Sequence, residues 1–436
     1  MAKSDSSKFR ISLKMIILIL TGLSLFYILG TILFFNATPK DKRVTSLIQT
    51  DYTVAEPQFI IESGVFSGRG WIHGNQIEIL SKGEEIFGSM HMDIASAEKS
   101  ITKETYNFWG EDVAGPMARA LAEASEKGVN VHFMMDYVGS VEASTEYFEA
   151  LEAAGVQYQR WRKPAWYQLA RLNHRTHRKL LIVDGQTAYT GGANTADDWL
   201  PDVEDGGYKD YHFRITGPVV NDIQGAFSDN WVASQGELLV GELYYREPEQ
   251  TGELKMQVSS GNPREGQMKV RKMLLHAIAS AGESIRIGSA YFYPDEMFME
   301  SLIDAANRGI QIQILTPGEK IDQNYLRIAS RNRWGSLLRA GIEIYEYQPS
   351  MYHAKKMIVD DHFVSIGSTN FDNRSFRLND ETNVNVLNPD FGAQMTAYYL
   401  EDLENSTRIT LEDWENRPFT HRVLGWIISK LIGPYL

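Results

Sequence analysis

Two stretches of the chain carry the same spaced set of polar residues. "HRKLLIVDGQTAYTGGAN" begins at His177, and "HAKKMIVDDHFVSIGSTN" begins at His353. In each stretch a Lys follows the His by two positions, an Asp by seven, a Gly by fourteen and an Asn by seventeen. A single His-x-Lys pair says little about function, but two copies that match at five positions indicate a duplicated functional unit.

The repeated residue types suit chemistry on a phosphate group. If each motif opens as a strand, residues two apart share a face, so His177 lies beside Lys179 and His353 beside Lys355. Imidazole can act as a nucleophile or proton carrier near neutral pH. An ammonium group supplies positive charge for phosphate oxygens. We therefore predict that these four residues are catalytic.

The turn in each motif adds candidate ligands for a phosphate. Asn194 follows "GGA" and Asn370 follows "GST", where small residues let the backbone approach a ligand and an amide can donate to a phosphoryl oxygen. With Ser368, these residues are predicted to bind the substrate. Asp184 and Asp360 complete the two motifs and are counted with the catalytic set. An Asp that ends a strand commonly closes a turn by accepting backbone amides, which is the alternative role for both.

Aligning the two halves locates one further carboxylate in each. Asp210 and Glu381 each lie eight residues before a Pro, at the start of a predicted strand. We expect each to accept a hydrogen bond from a catalytic His, fixing its tautomer and stabilising its cation. Asp197 and Asp205 are nearby alternatives in the first half. The histidines lack a zinc-binding spacing and the lysines repel cations, so neither a metal nor another cofactor is expected.

Composition and charge narrow the class of function. Among the 436 residues, 43 are Lys or Arg and 56 are Asp or Glu, so the net charge is −13. This balance argues against a nucleic-acid partner, which usually requires a basic surface. An anionic substrate remains possible because Arg171, Arg175 and Arg178 in "RLNHRTHRK" are expected to make the site entrance locally basic. The chain has no Cys, which excludes disulfides, thiolate zinc sites and Cys nucleophiles.

The elements that must position these residues also repeat. A helical pattern ending at Gly128 precedes the apolar run "VNVHFMMD", and a pattern ending at Gly309 precedes "IQIQILTP". Helices that alternate with strands in this way are typical of βαβ units. We predict an α/β protein with two tandem domains of similar fold, 56–245 and 260–420, each a mixed sheet flanked by helices.

Two features of the predicted strands stand out. The strand "SITKET" carries Lys103 and Glu104, which are polar for a strand buried in a sheet. Aromatic runs follow the two equivalent strands, at Tyr106 and at Tyr291. Such runs more often belong to a core than to a site. Both nevertheless lie where a parallel strand ends, at the edge of a sheet that usually faces the ligand.

The N-terminal region contains a candidate membrane span. After a tail of residues 1–14, residues 15–35 form 21 consecutive positions without a charge, followed by a linker over 36–55. About 20 apolar residues suffice to cross a bilayer. A cleaved signal peptide is the alternative, but its apolar part is usually shorter, roughly 7–15 residues. Four basic residues precede the span and three follow it, a difference too small to decide orientation.

The C-terminal residues 421–436 read "HRVLGWIISKLIGPYL" and predict an amphipathic helix. Val423, Ile427 and Leu431 are four apart, and Trp426 suits a membrane interface. Two interpretations remain open: the helix lies on a membrane surface, or it packs on the preceding domain.

Taken together, the motifs resemble the phospholipase D superfamily, whose signature is H-x-K-x4-D followed by G-[GS]-x-N. The resemblance extends from about Ile101 to the C-terminus. "SAYFYPDE", "AGIEIYEY" and the two long motifs are similar to bacterial cardiolipin synthases within that superfamily.

The resemblance implies a mechanism. The two halves would form one pseudo-two-fold active site, with His177 attacking the phosphorus to give a phosphatidyl-histidine. His353 would protonate the leaving alcohol and then activate the incoming hydroxyl. With phosphatidylglycerol as acceptor the product is cardiolipin. The alternative is a hydrolase of the same superfamily, a phosphodiesterase acting on phospholipid or nucleic acid, and a scaffold without activity is the third reading.

The resemblance also implies a location. We expect a single-pass protein of the bacterial inner membrane, with a phospholipid such as phosphatidylglycerol as substrate and no nucleic-acid partner. Such synthases commonly begin with two spans, whereas this sequence shows one. The catalytic part is expected on the cytoplasmic side, although one span leaves that side open. The oligomeric state is not predicted.

Overall fold

A computed structural model describes residues 13–36, 44–163, 173–262, 268–431 and 433. The α-helices in these residues are α1 Leu13–Asn36, α2 Pro57–Ser67, α3 Gly83–Ala95, α4 Gly115–Glu126, α5 Thr145–Ala153, α6 Val220–Gln235, α7 Lys269–Ala279, α8 Glu296–Asn307, α9 Asn324–Arg339, α10 Asn373–Arg377, α11 Pro389–Glu404, α12 Leu411–Glu415 and α13 Phe419–Leu431.

The β-strands of the described residues alternate with these helices. They are β1 Ile72–Leu80, β2 Ser100–Thr105, β3 Phe108–Trp109, β4 Asn130–Asp136, β5 Gln157–Trp161, β6 Leu180–Val183, β7 Thr187–Gly191, β8 Thr195–Ala196, β9 His212–Thr216, β10 Leu254–Gly261, β11 Ser284–Ser289, β12 Phe292–Tyr293, β13 Gln311–Pro317, β14 Glu343–Tyr347, β15 Lys355–Val359, β16 Phe363–Gly367, β17 Phe371–Asp372, β18 Glu381–Leu387 and β19 Ser406–Ile409.

Within the described residues, fifteen strands form one mixed sheet in the order β19-β14-β13-β11-β15-β16-β18-β10-β1-β9-β7-β6-β2-β4-β5. The order is nearly symmetric about the antiparallel pair β1 and β10, which joins the first half of the sheet to the second. Parallel triplets, β2-β4-β5 and β11-β13-β14, lie towards the two outer edges. The predicted α/β class, with a mixed sheet in two similar halves, is confirmed.

The parallel triplets arise from the repeated helix–Gly–strand units. Gly128 follows α4 with φ +94°, and Gly309 follows α8 with φ +95°. This left-handed backbone suits a residue without Cβ and stops the helix, so that the chain turns into β4 or β13. The two glycines therefore end equivalent crossover helices in the two halves.

The halves share a hydrophobic core as well as a sheet. One apolar cluster contains Trp161 and Phe227 from the first half together with Val258, Val386 and Tyr399 from the second. Helices α6 and α11 contribute to this shared cluster. Helices α3 and α4 cover a separate cluster in the first half, and α7 and α8 cover another in the second. The shared cluster holds the two halves against each other, which is the arrangement a common active site requires.

The polar strand β2 is buried along its whole length. All six of its residues are buried, including Lys103 and Glu104. Glu104 accepts hydrogen bonds from the Thr176 hydroxyl and from Asn230 Nδ2, the latter at 2.7 Å. Burial lowers the pKa of Lys103 to about 7. The carboxylate of Glu104 is thus bonded through Oε1, whereas its Oε2 is buried without a hydrogen-bond partner among the described residues.

Helix α1 contains the stretch expected to span a membrane. Residues Lys14–Ile32 have a mean hydropathy of 2.3, and none of this stretch is buried against the rest of the chain. A helix of 24 residues is about 36 Å long at 1.5 Å per residue, enough for the ~30 Å hydrocarbon core. Most of the predicted tail, 1–12, and part of the predicted linker, 37–43, lie outside the described residues.

Candidate active site

The two repeated motifs meet at one cleft between the halves. The cleft has a volume of about 540 Å³, and its walls include His177 and Asn194 from the first half and His353 and Asn370 from the second. Both histidines are largely buried at its base. The structure thus brings together four predicted site residues that are separated by up to 193 positions in the sequence.

Each histidine is held by a carboxylate from the opposite half. His177 Nδ1 lies 3.0 Å from Glu381 Oε1, and His353 Nδ1 lies 2.7 Å from Asp210 Oδ2. When Nδ1–H donates to the carboxylate, the neutral ring presents the lone pair of Nε2. Both dyads therefore favour the tautomer in which Nε2 can attack or accept a proton.

Backbone hydrogen bonds fix the crossed arrangement. The His177 amide donates to the Asp380 carbonyl at 2.9 Å, one residue before Glu381. The His353 amide donates to the Lys209 carbonyl at 2.8 Å, one residue before Asp210. Each histidine is thus bonded through its main chain to the segment that supplies its carboxylate, so ring and carboxylate face each other.

The two predicted lysines lie beside the histidines. Lys179 Nζ donates to the His177 carbonyl at 2.6 Å, and Lys355 Nζ donates to the His353 carbonyl. Lys355 Nζ also lies 3.1 Å from His353 Nε2. Burial lowers the pKa of Lys355 to about 8 and holds the pKa of Lys179 well below its usual value. A negatively charged ligand beside the two lysines would raise their pKa and favour their charged form.

The electrostatic setting keeps both rings neutral and both carboxylates ionised. Burial, partly offset by Glu381, lowers the pKa of His177 to about 4. Burial and the charge of Lys355 lower the pKa of His353 to about 3. Burial alone would raise the pKa of Glu381 and Asp210, but the neighbouring histidines and lysines hold both values below the usual range. A bound phosphodiester anion would raise the pKa of each histidine towards the range useful for proton transfer.

The predicted substrate-binding residues of the two turns make different contacts. Asn194 Oδ1 accepts from the Asn107 amide at 3.2 Å, and its side chain lines the cleft. Asn370 Oδ1 is buried without a hydrogen-bond partner among the described residues, which suits a ligand contact. Ser368 is among the residues that the sequence predicts to bind the substrate. Its hydroxyl instead donates to Glu381 Oε2 at 2.5 Å and is fully buried, so it positions the carboxylate.

The two motif aspartates lie at the other end of their strands. Asp184 and Asp360 each adopt φ +54° and each accept three backbone N–H bonds of 2.7–2.9 Å. The donors are Glu98, Lys99 and Ser100 for the first and Gly282, Glu283 and Ser284 for the second. Seven residues of extended chain separate each aspartate from its histidine, about 23 Å. This geometry favours the turn-closing role over inclusion in the catalytic set.

Aromatic side chains surround the histidines. The Tyr106 ring meets His177 edge-on at 5.5 Å, and Tyr291 lines the cleft, so both aromatic runs reach the site. Trp199 meets His353 edge-on at 4.9 Å, and its Nε1 donates to Asp210 at 2.9 Å. Trp199 lies five residues after Asn194, where the second half has Ser375 five residues after Asn370, so comparison of the repeats could not reveal it.

The cleft has one basic wall. Arg175 and Arg374 both line it, and Arg374 donates to the Asn173 side chain at 2.5 Å. The expectation of a basic entrance holds for Arg175 but is wrong for Arg178, which is buried and donates to backbone carbonyls, including Gly261 O at 3.2 Å. Arg171 lies outside the described residues.

A second group of lining residues is acidic and rich in hydroxyl groups. Asp198 and Asp322 line the cleft together with Tyr208 and Tyr291. The Tyr291 hydroxyl donates to Asp322 Oδ2 at 2.6 Å, and the Tyr208 ring stacks on His353 at 5.9 Å. Asp198 lies in a short 3-10 helix and Asp322 in the loop before α9, and the sequence motifs contain neither residue. The cleft can therefore hold a phosphate near its basic side and accept hydrogen bonds from alcohols at the two aspartates.

Comparison with known proteins agrees with this geometry. A sequence-family model described as "Cardiolipin synthase, PLD-like domain" matches residues 90–202 and 274–403. The chain is 33% identical over 368 residues to the cardiolipin synthase of Geobacillus kaustophilus, covering 83% of this chain and 72% of that protein. It is 31% identical over 371 residues to the cardiolipin synthase of Clostridium perfringens (strain 13 / Type A), covering 83% and 77% respectively.

A solved structure shares the architecture. The phosphatidylserine synthase of Haemophilus influenzae Rd KW20 aligns with a TM-score of 0.63 at 13% identity, covering 83% of this chain and 95% of that one. At this identity the likeness concerns the fold alone.

Two repeats of one α/β unit, with paired His-x-Lys motifs around a common cleft, define a phospholipase D-like protein. The chain belongs to the phospholipase D-like family of the cardiolipin synthases. It is accordingly an enzyme of the phospholipase D superfamily, of the phosphatidyltransferase type.

Proposed function

We propose that this enzyme joins two molecules of phosphatidylglycerol into cardiolipin and free glycerol, through a phosphatidyl-histidine on His177. The cardiolipin synthases among its relatives and the residues that line its cleft support the proposal. The reaction exchanges one phosphodiester for another and needs no nucleotide or metal in its balance. The substrate is thus a membrane phospholipid.

The observation that carries the proposal is the crossed pairing of the catalytic groups. Each half contributes one His and one Lys, and each half also supplies the carboxylate of the other's histidine. Neither half alone contains a complete His–carboxylate pair. Two imidazoles with complementary protonation are what a double displacement at phosphorus requires, one as nucleophile and one as acid and base.

In the first displacement, Nε2 of His177 attacks the phosphorus of the donor lipid. A P–N bond forms as the P–O bond to the head-group glycerol breaks. His353, protonated at Nε2 once the bound phosphodiester anion raises its pKa, gives that proton to the departing alkoxide. Lys179, Lys355 and the amides of Asn194 and Asn370 stabilise the charge that gathers on the equatorial oxygens. Glu381 stabilises the cation that develops on His177.

In the second displacement, the terminal hydroxyl of another phosphatidylglycerol reaches the phosphorus. His353 removes its proton, the new P–O bond forms and the P–N bond to His177 breaks. Asp198 and Asp322 are placed to accept hydrogen bonds from the remaining glycerol hydroxyl. A water molecule that attacks the phosphorus brings no second hydroxyl to bind these carboxylates, so it is positioned less well than glycerol.

The direct test incubates purified full-length protein with phosphatidylglycerol labelled in its head-group glycerol, without added metal. Cardiolipin and free labelled glycerol in equal amounts support the proposal. Phosphatidic acid in place of cardiolipin would indicate a hydrolase, and no turnover would indicate a scaffold. His73→Ala, at an exposed histidine outside the cleft, is the matched control for the histidine variants.

We also infer that α1 anchors the enzyme in the bacterial inner membrane as a single pass, with the catalytic part in the cytoplasm. The length and exposure of the apolar helix support the anchor. Because the chain lacks Cys, one Cys placed at the exposed Glu84 can report the side. A membrane-impermeant maleimide should label this variant only after cell lysis. Labelling of intact cells would put the catalytic part outside.

A further inference from the structure

Helix α13 is seated on α9 by its inner face. A Cβ at Gly425 would lie 3.0 Å from the Ile328 carbonyl, so the absence of a side chain there lets the two helices approach closely. Ile428 packs against Tyr293 and Ala329. The interpretation that the C-terminal helix packs on the second half is therefore correct for this face.

The outer face of α13 presents large apolar side chains to solvent. Phe419 is 75% exposed, Trp426 59% and Leu431 70%, and Val423 and Leu424 are also exposed. A contiguous apolar patch of this kind is typical of a surface that meets a partner or a membrane. The helix contains no acidic residue, and its Arg422 and Lys430 are exposed. Apolar, aromatic and basic residues in this combination are typical of helices that lie in a bilayer interface.

The residues that follow the proposed anchor in the chain lie next to α13. An open groove of about 800 Å³ is lined by Trp426 and Lys430 of α13 and also by Val44 and Thr45. Val44 comes only eight residues after the last residue of α1, a span of at most about 29 Å. The side of the protein that receives the chain from the anchor is thus the side that carries the exposed face of α13.

The charges around the groove are close to balanced, so the attraction to an anionic bilayer comes from α13 itself. Lys430 at its rim and the partly exposed Arg333 are basic, and Glu296 and Glu300 on α8 are the acids that face the same space. Arg271 in its floor is neutralised by Asp295 at 2.6 Å. The exposed cations of α13 itself, with no acid on the helix, supply the attraction to anionic head groups.

We propose that α13 docks on the surface of the same anionic bilayer that holds α1, with Phe419, Trp426 and Leu431 among the upper acyl chains. The enzyme is then attached at two points, the anchor and the docking helix. Two points of attachment restrict the rotation of the catalytic body more than a single attachment would. This inference rests on the membrane anchor proposed above.

The test uses the absence of Cys from the chain. Full-length single-Cys variants Trp426→Cys and Leu431→Cys carry an environment-sensitive fluorophore and are placed in vesicles of phosphatidylglycerol and phosphatidylcholine. Leu23→Cys in α1 is the membrane-embedded reference. Met92→Cys on α3, 69% exposed, is the water-facing reference. Lipids with a nitroxide near the head group should quench the two α13 probes several-fold more than the Met92 probe, and lipids with a nitroxide at the end of the acyl chain should quench the Leu23 probe.

Quenching of the α13 probes at the Met92 level, with the Leu23 probe still quenched, would overturn the docking and leave the anchor intact. Loss of quenching at Leu23 as well would overturn both. A blue shift at α13 that depends on protein concentration, without lipid quenching, would show a second copy on this face and also overturn the proposal.

Activity provides a second readout. The double variant Trp426→Gln, Leu431→Gln should lower turnover of phosphatidylglycerol in vesicles about tenfold through lost interfacial attachment. Turnover in detergent micelles should stay unchanged, as it should for Met92→Gln in both systems. An equal loss in vesicles and micelles would mean that these side chains only stabilise the fold.

Discussion

The two halves hold their histidines alike but fill the space beside them differently. In the first half, Glu104 of β2 accepts a hydrogen bond from Thr176, the residue before His177. At the equivalent position of β11, Gly288 has no side chain, and a Cβ there would lie 2.5 Å from the Tyr352 hydroxyl. In the first half the larger side chain of the pair, Glu104, is on the strand. In the second half the larger side chain, Tyr352, is in the motif and the strand has Gly288. The packed volume beside the site is thus preserved although neither residue type is.

The carboxylates show the same compensation. A Cβ at Gly192 would lie 2.1 Å from Asp210 Oδ1, so the short Asp requires a glycine in its turn. In the second half Ser368 occupies that position and donates to the longer Glu381. Each turn residue and its carboxylate therefore act as a matched pair, and the match can be broken from either side.

The largest effect should follow from removing either histidine. His177→Ala and His353→Ala should each lower kcat by about 10⁴-fold or more, because the halves share one site and neither ring can replace the other. Turnover of phosphatidylglycerol by the purified variants, beside His73→Ala, measures this. Near-normal activity in one variant would mean that the halves work independently.

A lipid substrate with an activated leaving group, such as nitrophenol, would assign the two roles. Such a leaving group departs without a proton, so His353→Ala should still release one equivalent in a burst and trap a phosphatidyl-enzyme detectable by mass spectrometry. His177→Ala should give no burst. The reverse pattern would exchange the nucleophile and the acid.

The lysines should come next. Lys179→Ala and Lys355→Ala should each lower kcat/KM by about 10²–10³-fold, several kcal/mol of transition-state stabilisation, by analogy with the loss of one oxyanion donor. Equal losses would indicate a phosphate held symmetrically by both halves. Lys99→Ala, at the turn beyond the far end of the strand, serves as the control. A negligible loss in both site variants would place the phosphate elsewhere.

The sequence predicts the repeated part of this site and misses the rest for identifiable reasons. His177, Lys179 and the equivalent residues of the second motif can be predicted because the same spacing of residue types occurs twice in the sequence. The crossed pairing with Glu381 depends on how the halves face each other, which no local pattern encodes. Trp199 has Ser375 as its counterpart in the second half, so the repeat does not mark it. Arg374 of α10 and Asp322 of the loop before α9 line the cleft but lie outside the repeated motif. Composition also could not show that β2 buries Lys103.

The matched pairs predict unequal effects of exchanging the turn residues. Gly192→Ser should lower kcat about 10²-fold, because the added Cβ displaces Asp210 from His353. Ser368→Gly removes one hydrogen bond to Glu381 and should cost about tenfold. The double variant Gly192→Ser, Asp210→Glu recreates the second half's pair and should recover part of the activity. If it is no better than Gly192→Ser, the pairs are not interchangeable units.

The pH dependence should separate the two kinds of group. With the pKa of His177 near 4, its neutral form persists above that pH, so kcat/KM should fall on the acid side only below about pH 4–5. On the alkaline side, kcat/KM should fall where His353, the general acid, loses the proton that the bound phosphodiester helps it to hold. With the pKa of Lys355 near 8, phosphate stabilisation should decline further as the pH rises through 8. Glu381→Gln removes a charge that raises the pKa of His177, so the acid limb should move to lower pH. An unmoved limb would assign it to another group.

The smallest effect on activity, and a gain in stability, should come from Lys103→Ile. The equivalent residue is Ile287, since Lys103 pairs with Leu181 just as Ile287 pairs with Met357. No salt bridge to Lys103 is present in the part of the chain that the structure describes, and burial lowers its pKa to about 7 from an unfolded value near 10.4.

The unfolded state therefore binds more protons than the folded state between about pH 7 and 10, so the free energy of unfolding rises with pH across that window. Replacing Lys103 removes this dependence. The stability difference between Lys103→Ile and wild type should be largest at pH 7 or below and should vanish near pH 10. Thermal unfolding of the detergent-solubilised full chain at pH 6, 8 and 10 measures it. A stability difference that does not change with pH would mean that it arises from packing around the side chain and not from the charge of Lys103.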